Sequence, residues 1–284
     1  MKKTLVAVSL TGLLASGCKN VPSLASMAAE EPDIAAADST PSAQTDGDDI
    51  AAELMGEEPL SVAVDELFDD FIFNFASNQQ LQFERTLFPL TVHSGTRQDT
   101  ICRDEWHMER FFMNDGEYTL IFDSREQMEK MNDTALDEAM VEKIFLDNKF
   151  IRQYVFRRHE GKWMLCEMRN QTLPRNPNAS FIDFYHHFVT DTLFQRESLS
   201  EEIEFVGPDP DNDFAQMEGV ITPDSWDAFA PELPLRMLFN VVYGRQDSTA
   251  NEKIFVLRGI ANGQELELTF RRDNDRWMLT KLLE

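Results

Sequence analysis

The chain has 284 residues, of which 42% are hydrophobic and 22 are phenylalanine, so it is long enough for two domains that each bury a core. Its formal net charge of −25 repels a phosphate backbone, and its densest basic cluster, at residues 157–159, has acidic neighbours. Nucleic acid is therefore excluded as an expected partner.

Residues 1–18 have the pattern of an export signal. Two lysines precede an apolar stretch that is too short to span a bilayer as a helix. The stretch ends in Leu-Ala-Ser-Gly-Cys at Cys18, which resembles a bacterial lipobox, although Ala15 stands where a large aliphatic residue is usual. We predict that Cys18 is acylated and anchors the protein to a membrane; the alternative is an ordinary signal peptide with a chance cysteine. Lys19 favours the outer membrane and leaves the periplasmic or surface side open.

Residues 19–60 form an acidic leader. They contain ten acids, one base and no aromatic residue. Such a segment buries too little apolar surface to offset its chain entropy, so we expect a disordered tether.

The remainder contains an internal repeat. Four segments recur in the same order at offsets of 110 to 120 residues, and all four tryptophans fall into two equivalent pairs. The matched segments are 68–75 with 181–188, 101–106 with 221–226, 142–145 with 252–255, and 156–165 with 270–279. This pattern predicts a duplicated α+β domain, with copies at residues 61–172 and 173–284.

Each copy is expected to open with an amphipathic helix. Aromatic and aliphatic residues follow the i, i+3, i+4, i+7 spacing of one buried stripe. These residues are Phe68, Phe71, Ile72 and Phe75, and Phe181, Phe184, Tyr185 and Phe188. Ser180 with Asp183 suggests a capping box at the second helix. Phe73 and His186 point away from the stripe, so they are either exposed or mark a contact between the copies.

Each copy is expected to close with an antiparallel meander. Residues 258–272 predict two strands around Asn262-Gly263, because Asn-Gly supplies the positive φ that a tight hairpin needs. Residues 273–275 predict the next turn, and residues 147–149 and 159–161 are the corresponding turns of the first copy. Helices packed on one curved sheet follow from this order.

The Phe-rich helix and the closing Phe-Arg-Arg-x-x-Gly-Lys-Trp-x-Leu hairpin, residues 156–165, resemble the NTF2-like, cystatin-like superfamily. With the lipobox and the acidic spacer, the chain resembles a family of Bacteroidota lipoproteins of unknown function. The resemblance implies two tandem NTF2-like domains, each with a cone-shaped sheet and a pocket. It implies no activity, because the superfamily includes enzymes as well as binding and scaffolding domains.

Cys102 and Cys166 both lie in the first copy, and threonines replace both in the second. In an oxidising compartment they either form a disulfide or remain as two buried thiols, and the sequence does not decide between the two.

Asp104 and His107 flank Trp106 and suggest a general acid–base pair in a pocket of the first copy. The second copy keeps the aspartate and Trp226 but has Asp227 in place of the histidine. We therefore interpret the aspartates as helix caps and the tryptophans as core or pocket wall, and predict no catalytic residue.

No metal site is predicted. Adjacent residues on a helix point about 100° apart, so His186 and His187 are poorly placed to bind one ion. Asp209, Asp211 and Asp213 resemble the start of a calcium loop, but Phe214 stands where that loop needs glycine. No phosphate loop or nucleophile elbow occurs, and no cofactor is predicted.

The favoured hypothesis is a non-enzymatic, lipid-anchored envelope protein that binds a small molecule, a glycan or a protein. One alternative is an enzyme with a single pocket around Asp104 and His107. Another is an assembly subunit whose domains only pack together. Filled cones with an exposed apolar patch would favour assembly, and an open apolar cavity would favour binding.

Overall fold

The helices and strands follow the same order in the two halves of the chain, except that the first half has one additional short helix. A computed structural model describes residues 67–209 and 212–284; the predicted signal, Cys18 and the tether lie outside the described residues. The first half contains α1 (Phe68–Ser77), α2 (Gln79–Glu84), β1 (Thr86–Ser94), β2 (Arg97–Ile101), β3 (Glu117–Phe122), α3 (Arg125–Met128), β4 (Glu138–Phe145), β5 (Phe150–His159) and β6 (Lys162–Thr172). The second half contains α4 (Ala179–Thr190), α5 (Thr192–Glu197), β7 (Leu199–Asp209), β8 (Asn212–Ile221), β9 (Met237–Tyr243), β10 (Glu252–Gly259), β11 (Glu265–Asp273) and β12 (Arg276–Leu283).

The two opening helices bury the predicted stripes. All four stripe residues of α1 and all four of α4 are buried, which confirms the helical periodicity. Phe73 is half-buried, and its ring lies 5.3 Å from that of Phe112. His186 Nε2 lies 3.4 Å from Asp147 Oδ1, so this histidine does contact the other half.

The predicted capping box at α4 is wrong. The helix begins at Ala179, one residue before Ser180, and its N-cap Asn178 makes no side-chain capping bond. The Ser180 hydroxyl instead accepts hydrogen bonds from Arg272 Nη2 at 3.0 Å and from Trp277 Nε1 at 3.3 Å. Asp183 binds Lys149 Nζ at 2.6 Å rather than the helix backbone. Asp104 was expected to cap a helix, and it does not. The N-cap of the short turn at residues 103–105 is Cys102.

The turns between the closing strands are those predicted. Gly263 has a φ of +67° between β10 and β11, and Asn274 and Asp275 have positive φ between β11 and β12. Lys149 and Gly161 take the same role in the first half, at φ values of +48° and +81°. These left-handed positions allow tight connections whose twist matches that of the strands.

One large curved sheet contains all twelve strands of the described residues. Its order is β2-β1-β6-β5-β4-β9-β3-β10-β11-β12-β7-β8. β9 of the second half lies beside β4 of the first, and β3 of the first half lies beside β10 of the second. The halves have therefore exchanged their third strands, and β3 and β9 meet in parallel where Thr119 pairs with Asn240.

The central strands are covered on both faces. On β10, Ile254 and Val256 belong to the core that contains α1, whereas Phe255 and Leu257 belong to the core that contains α4. The helices of the two halves therefore cover opposite faces of the same sheet. Burial on both faces explains why β3 and β9 are almost continuously apolar instead of alternating.

The register corrects one of the four sequence matches. Phe156 and Phe270 both sit at a bulge in the last hairpin of their half, so they are equivalent, at an offset of 114 residues. Glu142 pairs with Gln153, and at that offset the equivalent pair is Val256 with Glu267. The match of segment 142–145 with 252–255 is therefore a coincidence of composition. Glu142 is equivalent to Val256, and Lys253 is equivalent to Ala139.

The described residues belong to one compact unit rather than to two units divided at residue 172. The physical reason is the strand exchange, because each half needs a strand of the other to complete its part of the sheet. We refer below to residues 67–172 and 173–284 as the first and second halves.

Candidate functional site

The residues singled out for acid–base chemistry do not form a pocket. Asp104 and His107 are both exposed on the turn after β2, whereas Trp106 and Trp226 are buried in the two cores. None of these four residues lines either of the two surface cavities described below.

The two cysteines are not joined to each other. Cys166 is a free thiol whose Sγ lies 3.3 Å from Met164 O, and burial raises the pKa of this thiol. β1 lies between β6, which carries Cys166, and the end of β2, which Cys102 follows. Two strand spacings are about 9.5 Å, which exceeds the roughly 7 Å between Cα atoms that a disulfide can bridge.

The interior under each opening helix is filled with aromatic rings. In the first half, Phe156 is surrounded by the rings of Phe68, Phe71 and Phe75 at centroid distances of 5.2 to 5.7 Å. In the second half, Phe270 takes the equivalent place against α4. These tilted and edge-on packings fill space that an NTF2-like cone would otherwise leave for a ligand.

A polar cluster in the first half escaped the sequence analysis. Glu109 Oε2 accepts a hydrogen bond of 2.7 Å from the Tyr154 hydroxyl, and Oε1 lies 3.6 Å from Lys143 Nζ. Gln82 binds both the N–H and the carbonyl of Glu109, which fixes its backbone. Burial, with the nearby Glu109 carboxylate, raises the pKa of Tyr154 and keeps it a hydrogen-bond donor. The second half has Phe229 where Glu109 stands, so only the first half has this cluster.

The larger of the two cavities is an open cleft of about 750 Å³ where the halves meet. One wall comes from the end of β3 and α3, and the other from the β9–β10 loop and from β11. Its lining residues are Asp123, Ser124, Glu126, Gln127, Lys130, Arg245, Asp247, Ala250, Asn251, Glu252, Arg271 and Arg272. Gln127 joins the two walls, because its Nε2 donates to Arg245 O at 3.0 Å and its Oε1 accepts from Asp123 N.

Most acids of this cleft already have partners. Asp123 forms an ion pair with Lys253, a buried lysine of β10. Glu252 pairs with Arg271 at 2.8 Å. Hydrogen bonds from Thr249 lower the pKa of Asp247, so this carboxylate is ionised but partly satisfied.

Fewer of the basic side chains of the cleft have ion-pair partners. Lys130, Arg245 and Arg272 line it, and none of them makes an ion pair within residues 67–209 and 212–284. Arg272 lies 4.5 Å over the Trp277 ring, as the equivalent Arg158 lies 4.7 Å over Trp163.

The two equivalent arginines differ in their hydrogen bonds. Arg158 Nε donates to Leu136 O at 2.9 Å, but Arg272 Nε is buried without an acceptor among the described residues. An unpaired buried donor costs about 1–3 kcal/mol. The cleft therefore contains as many basic as acidic side chains on a strongly acidic protein, and three of its basic side chains lack ion-pair partners among the described residues.

Lys253 ties this cleft to the segment between the halves. Its Nζ donates to Asn178 Oδ1 at 2.6 Å and to Asp247 O at 3.3 Å, besides its pairing with Asp123. Asn178 N in turn donates to Asn176 Oδ1 at 2.8 Å. Lys253 therefore links both walls of the cleft to the segment that connects the halves.

Sequence reasoning missed the cleft because its cations are far apart in the chain. Lys130 precedes Arg245 by more than one hundred residues, and no spacing rule connects them. The available signal was the charge of Lys253 directly before four consecutive apolar residues, 254–257, of β10.

Two further properties bear on function. No group of three or more His, Cys, Asp or Glu side chains within the described ranges is arranged to hold a metal ion. In the same part of the chain, no helix combines the length and the apolar character that crossing a membrane requires.

Comparisons with known proteins place the chain in a family. Residues 47–284 match the model described as "Domain of unknown function (DUF4348)", and the chain belongs to this family. It is also similar to the crystal structure of an NTF2-like protein from Bacteroides fragilis NCTC 9343, with 40% sequence identity and a TM-score of 0.71. That similarity covers 78% of this chain and 96% of the other chain. The comparison with curated proteins found no match.

Proposed function

We propose that this protein is a lipid-anchored binding module of the cell envelope and that the cleft between its halves binds a small organic anion. The observation that carries the proposal is the set of cations in the cleft, Lys130, Arg245 and Arg272, which lack ion-pair partners among the described residues. Carboxylate or phosphate oxygens would supply the missing acceptors, since guanidinium groups bind both.

A binding role fits the site better than an enzymatic one. The cones are filled, and Asp104 and His107 are exposed and line neither cavity. Within the described part of the chain, the cleft has ion-paired acids, Asp123 and Glu252, beside cations without ion pairs. Such a site can bind an anion without providing a nucleophile with an adjacent base.

The cleft proposal is tested by calorimetric titration with citrate at constant ionic strength. We expect Lys130→Ala and Arg245→Ala each to weaken citrate binding about tenfold, because each removes a charge-assisted hydrogen bond. Arg196→Ala is the matched control, since this exposed arginine pairs with Asp227 and lies outside the cleft. Equal affinity in all three variants, or no citrate binding by the unaltered protein, would overturn the proposal.

The anchor rests on the sequence at Cys18. We expect the protein to sediment with membranes and Cys18→Ala to move it to the soluble fraction, because the substitution removes the acylated thiol. Fractionation of cells followed by immunodetection measures this. Release of the unaltered protein without detergent would contradict the anchor.

We also infer that the two halves arose by duplication. The matching order of elements supports this, as do the equivalent bulges at Phe156 and Phe270. The equivalent caps Asn78 and Asp191, at the starts of α2 and α5, add further support. A crystal structure in which the halves differ in strand order would contradict the inference.

A further inference from the structure

The smaller cavity lies on the first half and has a different character from the cleft. It has a volume of about 530 Å³ and is lined by Gln79, Gln80, Phe83, Glu84 and Arg103. Two amides, a carboxylate and a guanidinium thus surround one half-buried aromatic ring. Among the residues that the structure describes, no other ring lines this cavity.

The aromatic ring is fixed in place. Phe83 lies 6.3 Å from the Phe88 ring, and Phe88 lies 6.2 Å from the Trp106 ring. Arg103 lies 5.5 Å from the Phe83 ring centre, so its guanidinium is held at the cavity wall. Gln80 Nε2 donates to Glu84 Oε1 at 2.9 Å, which orients two of the polar lining groups.

The aromatic stack ends in an unsatisfied donor. Trp106 is 6% exposed, and its indole N–H has no acceptor among the described residues. The equivalent Trp226 donates to Gln195 Oε1 at 3.1 Å. Gln82, the equivalent of Gln195, is instead bound to the backbone of Glu109, so it does not accept a hydrogen bond from the Trp106 indole.

The second half lacks most of this surface. On α5, Thr192 and Leu193 stand where α2 has Gln79 and Gln80, and Arg196 stands where α2 has Phe83. Pro223 takes the place of Arg103. A feature needed only for folding would be expected in both halves, because both have the same helix in the same place.

From this arrangement we propose that the cavity lined by Phe83 is a second binding site, separate from the cleft, for a neutral oligosaccharide. The Phe83 ring packs against the apolar C–H face of a sugar ring, as aromatic residues do in concave ligand sites. The amides donate to and accept from hydroxyl groups, the Glu84 carboxylate accepts from them, and Arg103 donates to ring and hydroxyl oxygens. A neutral sugar fits because the cavity has one formal charge of each sign.

The test is calorimetric titration of the full chain with three probes: maltohexaose, cellohexaose and xylohexaose. We expect at least one of them to bind, and Phe83→Ala to weaken that binding about tenfold, whereas Phe83→Tyr keeps it. Gln80→Ala is the second variant, because this exposed side chain can be removed without disturbing the core. We expect it to weaken binding as well.

The matched control is Leu193→Ala, which changes an exposed side chain at the equivalent position of the second half and should leave binding unchanged. Thermal unfolding of each variant shows whether it is folded. The proposal is overturned if none of the three oligosaccharides binds the unaltered chain. It is also overturned if binding is the same in Phe83→Ala and Gln80→Ala as in the control.

Discussion

The Asp69 side chain contacts both halves, and its burial there changes its pKa. It lies in the first turn of α1, accepts a hydrogen bond from the Tyr243 hydroxyl of β9, and lies 3.9 Å from Arg258 of β10. Burial raises the pKa of Asp69 from 3.8 to about 6, although Arg258 opposes the rise. The folded state therefore holds the Asp69 proton more tightly than the unfolded state does.

The sign of the pH dependence follows from this pKa. Between about pH 4 and about pH 6 the unfolded chain loses the proton first, so the free energy of unfolding falls as the pH rises. A shift from 3.8 to about 6 corresponds to about 3 kcal/mol. We expect Asp69→Asn to remove this decline and to be the more stable protein near pH 7.

Urea unfolding at about pH 4 and about pH 7 measures the effect. Asp104→Asn is the control, because Asp104 is exposed and belongs to neither exchanged strand. The same change of stability with pH in Asp69→Asn and in the unaltered protein would show that Asp69 is not responsible.

At the scale of single elements, β4 is the clearest case of a strand whose neighbours determine its side chains. Glu142 is fully buried between β5 and β9 and forms no ion pair with any residue that the structure describes. Its carboxyl group accepts hydrogen bonds from Gln153 at 2.8 Å, Asn176 at 2.6 Å and Asn240 at 3.0 Å. Burial raises the pKa of Glu142 in spite of these three donors.

These contacts specify how the strands and the connecting segment fit together. Gln153 belongs to β5, Asn240 to the exchanged strand β9, and Asn176 to the link between the halves. A slip of one residue in β9 would turn Asn240 to the other face and leave Glu142 with fewer donors. Since the equivalent residue is Val256, the fold itself does not require a carboxyl group at this position. We infer that it fixes the register of the exchanged strand.

Across the whole molecule, the strand exchange makes the two halves dependent on each other. Without the second half, β4 would lose all seven of its pairings with β9, from Ala139 to Phe145. β3 would lose its pairing with β10 at the same time. An unpaired apolar edge of this kind is open to association with another chain.

We therefore expect residues 61–172, produced alone, not to form a folded monomer, whereas residues 61–284 do. Size-exclusion chromatography with circular dichroism distinguishes the outcomes, and residues 173–284 alone provide the reciprocal case. A folded monomer of either half would show that its sheet is complete without the exchanged strand, contrary to the topology.

Local patterns predicted much of the architecture correctly. The spacing of Phe68, Phe71 and Phe75 was enough to place a buried helix face, and Asn262-Gly263 was enough to place a hairpin. Both depend on residues within a few positions of each other, where backbone sterics and periodicity decide the outcome. The α+β class followed from these local elements, and the NTF2-like fold followed from the resemblance of the opening helix and closing hairpin to that superfamily.

The sequence by itself determined the opening helix of each half, the turns of the closing strands, the acidic charge and the similarity of the two halves. Only the tertiary structure decided that β3 and β9 change places, because both strands are apolar on both faces and either β4 or β10 offers a matching edge. The cleft depends on the same decision, since its walls carry Lys130 from one half and Arg245 from the other. Pairing between residues more than one hundred positions apart is a competition among whole-chain arrangements, and no local pattern in the sequence records which arrangement is most stable.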